Sequence, residues 1–187
     1  ITSATGLGIS PAGKFTIAGK ETFLLGISYF DGLRWRTSDI DTLAARGFNN
    51  LRIFTDWAND DGTPGDRTVC NANGLIKRSE VATINALIDY AETKTMTVTI
   101  VILNEDSDSW MRTEAARFAC VTSTVNAFKV HALVMFDVVQ EHDYSFTGSG
   151  ASLTPDEVKV YNDQARAACP TCIVYSSVSS PMSHPPD

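Results

Sequence analysis

The sequence predicts an α/β fold organised around a parallel sheet. Short runs rich in Val, Ile, Leu and Phe alternate with stretches of helical spacing and capping, which is the pattern of βα units. The runs are apolar almost throughout, as expected of strands covered on both faces. The long polar stretches leave the C-terminal ends of the runs, the edge at which parallel α/β folds place function.

The elements follow in order. Gly13 to Thr22 reads as a small hairpin with Gly and Lys at its turns, expected to cover the bottom of the sheet. Phe23-Leu24-Leu25-Gly26-Ile27-Ser28-Tyr29-Phe30 is the first long strand. Ser38 precedes a short helix with Ile40, Leu43 and Ala44 on one face, and Gly47 stands where a C-terminal cap belongs. Leu51 to Trp57 forms the second strand, and a loop rich in Asp, Asn, Gly and Pro follows from Asn59 to Asn73. Ser79 opens a second helix whose Ile84, Leu87, Ile88 and Ala91 make an amphipathic face. Val98 to Leu103 is the third strand, and Asn104 to Arg112 is a second polar loop. A third helix is expected from about Thr113 to Phe128, against the preference of its β-branched run Val121 to Val125. Ala132 to Val139 is the fourth strand, and a Gly/Ser loop, Phe146 to Ser152, precedes the fourth helix. Thr154-Pro155-Asp156-Glu157 opens that helix with an N-cap threonine, proline at the first helical position and a glutamate placed for a capping box. Ile173 to Val178 is the fifth strand. No repeat or linker divides residues 1–187, so a single domain is expected.

Bulk properties narrow the function. The chain has 187 residues, 43% of them apolar and 20% charged, which suits one globular domain with a core. A net charge of −7 and a pI near 4.9 supply no basic field to gather phosphates, so neither a nucleic-acid nor a membrane partner is expected. No apolar run approaches the roughly 20 residues that span a bilayer, and no signal peptide opens the chain. Cys70, Cys120, Cys169 and Cys172 permit two disulfides. Cys169-Pro170-Thr171-Cys172 follows a helix and precedes a strand, the reverse of a redox motif, so a local structural disulfide or plain thiols are expected there. Asp60, Asp61 and Asp66, or Asp106 and Asp108, invite a calcium reading, but neither stretch has EF-hand spacing and no metal is expected. Gly6-Leu7-Gly8 precedes the strands instead of joining strand to helix, and no Gly-x-Ser-x-Gly elbow occurs, so no cofactor and no serine nucleophile are expected.

The sharpest chemical signal is Phe136-Asp137-Val138-Val139-Gln140-Glu141-His142-Asp143. An apolar strand stops, and an amide, a carboxylate and an imidazole follow at once. A carboxylic acid walled by strand ends can be desolvated until it donates a proton near neutral pH. Glycosidic bond cleavage requires such an acid. The neighbouring amide suits a sugar hydroxyl, in a contact that strengthens in the transition state.

Three segments carry a family resemblance: Gly19 to Phe30, Leu51-Arg52-Ile53-Phe54-Thr55-Asp56-Trp57, and the strand ending in Gln140-Glu141. Together they resemble the cellulase-like glycoside hydrolases of clan A over essentially the whole chain. The resemblance implies a partial (β/α)8 (TIM-type) barrel of about strands one to five, half-barrel-like, since a complete barrel takes about 250 residues. It also implies Glu141 as the catalytic acid/base and Gln140 on the sugar 2-hydroxyl, with Arg52 supporting the catalytic carboxylates. Gln140 departs from the family's asparagine by one methylene. The family's nucleophilic glutamate ends strand seven, so the second carboxylate of a retaining pair is expected outside these residues.

Tyr29, Trp35, Trp57 and Trp110 are candidate sugar-stacking aromatics at or beyond strand ends, and His142 is a candidate substrate contact. The expected function is retaining hydrolysis of a β-linked glycan by a secreted or periplasmic protein. Its rival is a non-catalytic half-barrel that binds carbohydrate or is purely structural. The open strand edges lead us to expect self-association.

Overall fold

The computed structural model describes residues 6–30, 32–55, 68–104, 107, 111–143 and 153–178. Two sheets form. Strands β1 (Leu7–Ile9), β2 (Phe15–Ile17) and β3 (Lys20–Glu21) make a small antiparallel sheet. Its tight turn is Ala18-Gly19, and both residues take positive φ, 50° and 76°, as a two-residue hairpin connection of matching twist demands. The hairpin thus forms as expected and gains a third strand, β1. Leu7 donates its N–H to the carbonyl of Ala132 at 2.8 Å, which fastens the small sheet to the N-terminal end of the large one.

The large sheet is parallel, with β4 (Gly26–Tyr29), β5 (Asn50–Phe54), β6 (Thr97–Leu103), β7 (Val134–Val139) and β8 (Val174–Tyr175) in sequential order. Helices α1 (Thr37–Ala45), α2 (Arg78–Thr93), α3 (Glu114–Phe128) and α4 (Pro155–Ala168) connect successive strands. This is the expected α/β architecture, a partial TIM-type barrel. Strands β6 and β7 are buried along their whole lengths, which explains why their sequences read as continuous apolar runs. Among the described residues no helix is long and apolar enough to cross a membrane.

The helix layer packs on Leu51, Ile53, Val98, Ile100, Ile102, Phe136 and Val138, all buried in the core with Ile84, Leu87 and Ile88 of α2. Helix α3 forms in spite of its β-branched run because Val121, Thr124 and Val125 are buried, and burial of a face outweighs small propensity differences. Helix α4 has the complete capping box: Glu157 N–H donates to Thr154 Oγ1, and Glu157 Oε2 accepts from Thr154 N–H. The starts of α1 and α2 differ from expectation. Arg36 and Lys77 occupy the N-cap positions without side-chain caps, and Ser38 and Ser79 lie one residue inside each helix.

Two strands are shorter than their apolar runs. The side chain of Asn49 accepts from Leu25 N–H at 2.7 Å and donates to the Phe23 carbonyl at 2.8 Å, so residues 23–25 are tied to a side chain and pairing begins at Gly26. Likewise β8 stops at Tyr175 because the next backbone donor of that segment to reach β7, Ser177 N–H, goes to the Asp137 side chain. The four cysteines form two disulfides: Cys169–Cys172 after α4, the local pair the spacing allowed, and Cys70–Cys120, which joins the segment before α2 to helix α3 and which the sequence left open.

Candidate active site

Residues side by side in a parallel ladder share a face. Ser28 pairs with Arg52, Arg52 with Thr99, Val101 with Asp137, and Asp137 with Tyr175. That face is the barrel interior, and it is polar. At its lower level Asn50 Nδ2 donates to Thr97 Oγ1 at 2.8 Å and Thr99 Oγ1 at 3.0 Å. Above it, Arg52 Nη2 donates to Asp137 Oδ2 at 2.8 Å and to Ser177 Oγ at 3.1 Å. The second Asp137 oxygen accepts from Ser177 N–H at 3.0 Å.

Asp137 is fully buried, and burial pushes its carboxyl above the usual carboxylate value while the Arg52 guanidinium and Ser177 pull it back. Tyr175 is pushed up to about 12, first by burial and then by the charge of Asp137, against a hydrogen bond with Thr99 and the charge of Arg52. Its hydroxyl therefore stays neutral at any working pH. The Arg52 guanidinium also lies 5.0 Å over the Phe54 ring, and Phe54 stacks on Phe30 with centroids 4.8 Å apart and planes 13° apart. Phe30 keeps 51% of its surface exposed, leaving an apolar ring face beside the charged pair.

The segment after β7 carries the predicted chemistry. Gln140 N–H extends the ladder to the Leu103 carbonyl at 2.8 Å. Glu141 then takes φ +47°, a left-handed conformation that non-glycine residues adopt at a cost. Its N–H reaches Ser177 Oγ at 3.4 Å. Gln140 is buried, and neither its Oε1 nor His142 Nδ1 has a hydrogen-bond partner among the described residues. A buried acceptor without a donor is costly unless water or a ligand hydroxyl supplies one.

The structure brings Arg52, Gln140, Glu141 and His142 to the C-terminal end of the sheet, and places two predicted aromatics elsewhere. Tyr29 pairs with Ile53 in the ladder, so it faces the helix layer, where its hydroxyl donates to Asp39 at 2.8 Å. Trp35 donates its Nε1–H to the Thr83 carbonyl at 3.2 Å and packs on Tyr90 of α2, outside the barrel interior. Trp57 and Trp110 lie outside the described residues, as do Asp60, Asp61, Asp66, Asp106 and Asp108.

Sequence reading missed Asp137, Ser177, Tyr175, Phe30 and Phe54 as site residues. Asp137 had left a signal, one carboxylate inside an otherwise apolar strand, which requires a buried cation. A separate cluster, Asp89, Glu92 and His131, lies away from this end. Its groups have protein partners: His131 Nε2 meets Asn85 Oδ1 at 2.8 Å, and Glu92 Oε1 accepts from Leu133 N–H at 3.0 Å, which ties α2 to the start of β7.

Comparison with known proteins supports this fold. A family 5 mannosidase from Rhizomucor miehei superposes with a TM-score of 0.74 at 14% identity, over 96% of this chain and 57% of the other. A variant of that enzyme has been seen in complex with mannosyl-fructose. A β-mannanase from the blue mussel Mytilus edulis superposes with a TM-score of 0.65 at 14% identity, over 94% and 64%. A β-1,4-D-mannanase from Cryptopygus antarcticus gives 0.59 at 15%, over 93% and 60%. The chain therefore spans little more than half the length of these enzymes, and the likeness establishes the fold. No curated protein sequence matches. The profile of the cellulase family, glycosyl hydrolase family 5, matches residues 12–169, and over that stretch, which holds β5, β7 and the Gln140-Glu141 segment, the chain belongs to glycosyl hydrolase family 5.

Proposed function

We propose that the protein hydrolyses a β-linked glycan by a retaining mechanism in which Glu141 is the acid/base. One observation carries the reading: Glu141 lies two residues beyond the end of β7 in a strained left-handed conformation, next to the buried amide of Gln140 whose Oε1 has no partner among the described residues. Strain of this kind concentrates at sites that need one side chain in one place. Gln140 Oε1 would accept from a sugar hydroxyl, Arg52 would hold the charged interior in register, and Phe30 offers the exposed ring face on which a sugar packs. His142, Trp57 and Trp110 remain candidate substrate contacts. The second carboxylate, about 5 Å from the first in a retaining pair, would come from outside these residues.

Two of the structural neighbours are β-mannanases, so β-mannan stands beside β-glucan among the substrates to assay. Two disulfides favour a secreted or periplasmic setting. The test is Glu141→Gln in the full-length protein. Turnover of a natural glycan should fall by roughly 10²- to 10⁴-fold with binding retained. An aryl glycoside, whose leaving group needs little protonation, should lose less in its first step. Equal turnover in variant and parent would remove Glu141 from the mechanism, and sugar binding without turnover in either would favour a non-catalytic module.

A further inference from the structure

We propose that Ser177 is a positioning residue for Glu141, an inference that rests on the acid/base reading above. The β7–β8 ladder contains only two pairs, Phe136 with Val174 and Asp137 with Tyr175. Beyond them β7 runs on toward the site, and hydroxyls of the next two residues after β8 take over its backbone donors. Ser176 Oγ accepts from Val139 N–H at 3.2 Å, and Ser177 Oγ accepts from Glu141 N–H at 3.4 Å.

The two serines differ in what stands behind them. Ser176 donates onward to Asn162 Oδ1 on α4 at 3.1 Å, in the helix layer. Ser177 is held from the barrel interior: Asp137 Oδ1 accepts from its N–H, and Arg52 Nη2 donates to its Oγ. Its hydroxyl oxygen is thus the joint between the Arg52–Asp137 pair and the backbone of Glu141. For a non-glycine residue the left-handed region lies higher in energy than the right-handed one, so it persists where neighbouring contacts hold it. Ser177 Oγ supplies one such bond to the N–H of Glu141, and the ion pair limits where Oγ can sit. Arg52 and Asp137 thereby act on the acid/base through one atom, without contact to the reacting bond.

The informative substitutions are Ser177→Thr and Ser177→Val in the full-length enzyme, because they match in shape and differ in the hydroxyl. The backbone bond from residue 177 to Asp137 is available to both. We expect Ser177→Val to lower kcat on a natural glycan by about ten- to a hundredfold with KM little changed, the cost of a misplaced catalytic group. An aryl glycoside should lose less, and the alkaline limb of the pH–rate profile, which reports the general acid, should move. Ser177→Thr should restore kcat and the profile. Ser176→Ala, which breaks the equivalent bond to Val139, should leave both near the parent. Failure of Ser177→Thr to exceed Ser177→Val, whether both are active or both unfold, overturns the proposal, as does an equal loss in Ser176→Ala. If Glu141→Gln lacks its own effect, the acid/base reading fails; if it has that effect and the Thr/Val pair does not differ, Ser177 alone is dismissed.

Discussion

Arg52 and Asp137, 85 residues apart, meet across the barrel interior with Nη2 and Oδ2 at 2.8 Å. The pair ties the second long strand to the fourth, and each partner depends on the other. Asp137 has no exposed surface, while the Arg52 side chain keeps 23% exposed.

Arg52→Met should therefore strand a buried carboxylate. Breaking such a pair costs about 3–5 kcal/mol, and the partial exposure of Arg52 places the expected loss near about 3 kcal/mol. The pH dependence carries a sign. Burial raises Asp137 on folding in spite of Arg52 and Ser177, so the folded chain holds that proton more tightly than the unfolded one. Its contribution is most favourable below the ordinary carboxylate range and declines as pH rises through the raised value. Removing Arg52 removes a downward pull, so the decline should extend to higher pH in Arg52→Met and disappear in Asp137→Asn. Urea midpoints measured from about pH 4 to about pH 8 read both effects; a pH-independent difference between Arg52→Met and the parent would contradict them.

The two disulfides should contribute unequally. Cys70–Cys120 closes 50 residues and Cys169–Cys172 only 3. Chain-entropy scaling gives about 4 kcal/mol for the first and about 2 for the second. Denaturant midpoints of Cys70→Ala/Cys120→Ala and Cys169→Ala/Cys172→Ala variants should fall in that order, and the reverse order would show that the turn after α4 matters more than chain closure.

Gly74 and Gly13 provide a matched comparison, since both have φ +76°. A Cβ on Gly13 meets nothing within 4 Å, whereas one on Gly74 would lie 1.9 Å from the Ala116 carbonyl oxygen. Gly13→Ala should cost about 1–2 kcal/mol from the backbone alone. Gly74→Ala must also push its turn off α3 and should cost about 3 kcal/mol or more. Equal thermal midpoints for the two variants would refute the close approach.

Among the described residues strand β4 pairs only with β5. Along its lead-in and length Phe23 is 82% exposed, Leu25 43% and Ile27 36%. An apolar strand edge of this kind recruits other chains. The 187-residue chain expressed by itself should therefore scatter light as a dimer or larger at micromolar concentration, and Ile27→Lys should shift it toward monomer. A monomeric parent would count against this edge as an association surface.

Much of the fold was legible because it is locally encoded. The apolar runs, the spacing of Ile84, Leu87, Ile88 and Ala91, and the capping box at Thr154 and Glu157 depend on neighbours a few residues away, and the structure contains each. The position of Glu141 was legible for the same reason, as the first carboxylate beyond an apolar strand. The direction in which side chains point was not. The run from Phe23 to Phe30 is apolar at odd and even positions alike, so it shows no polar alternation that distinguishes inside from outside; Tyr29 read as a rim aromatic although it faces α1, and Phe30, one residue on, went unnoticed on the interior side. Nor can spacing reveal that Arg52 and Asp137 form a pair, that Cys70 meets Cys120, or that Ser177 Oγ stands beneath the backbone of Glu141. Those contacts arise only when the strands align side by side, because the ladder register, set by packing across the whole sheet, decides which distant residues share a level and a face.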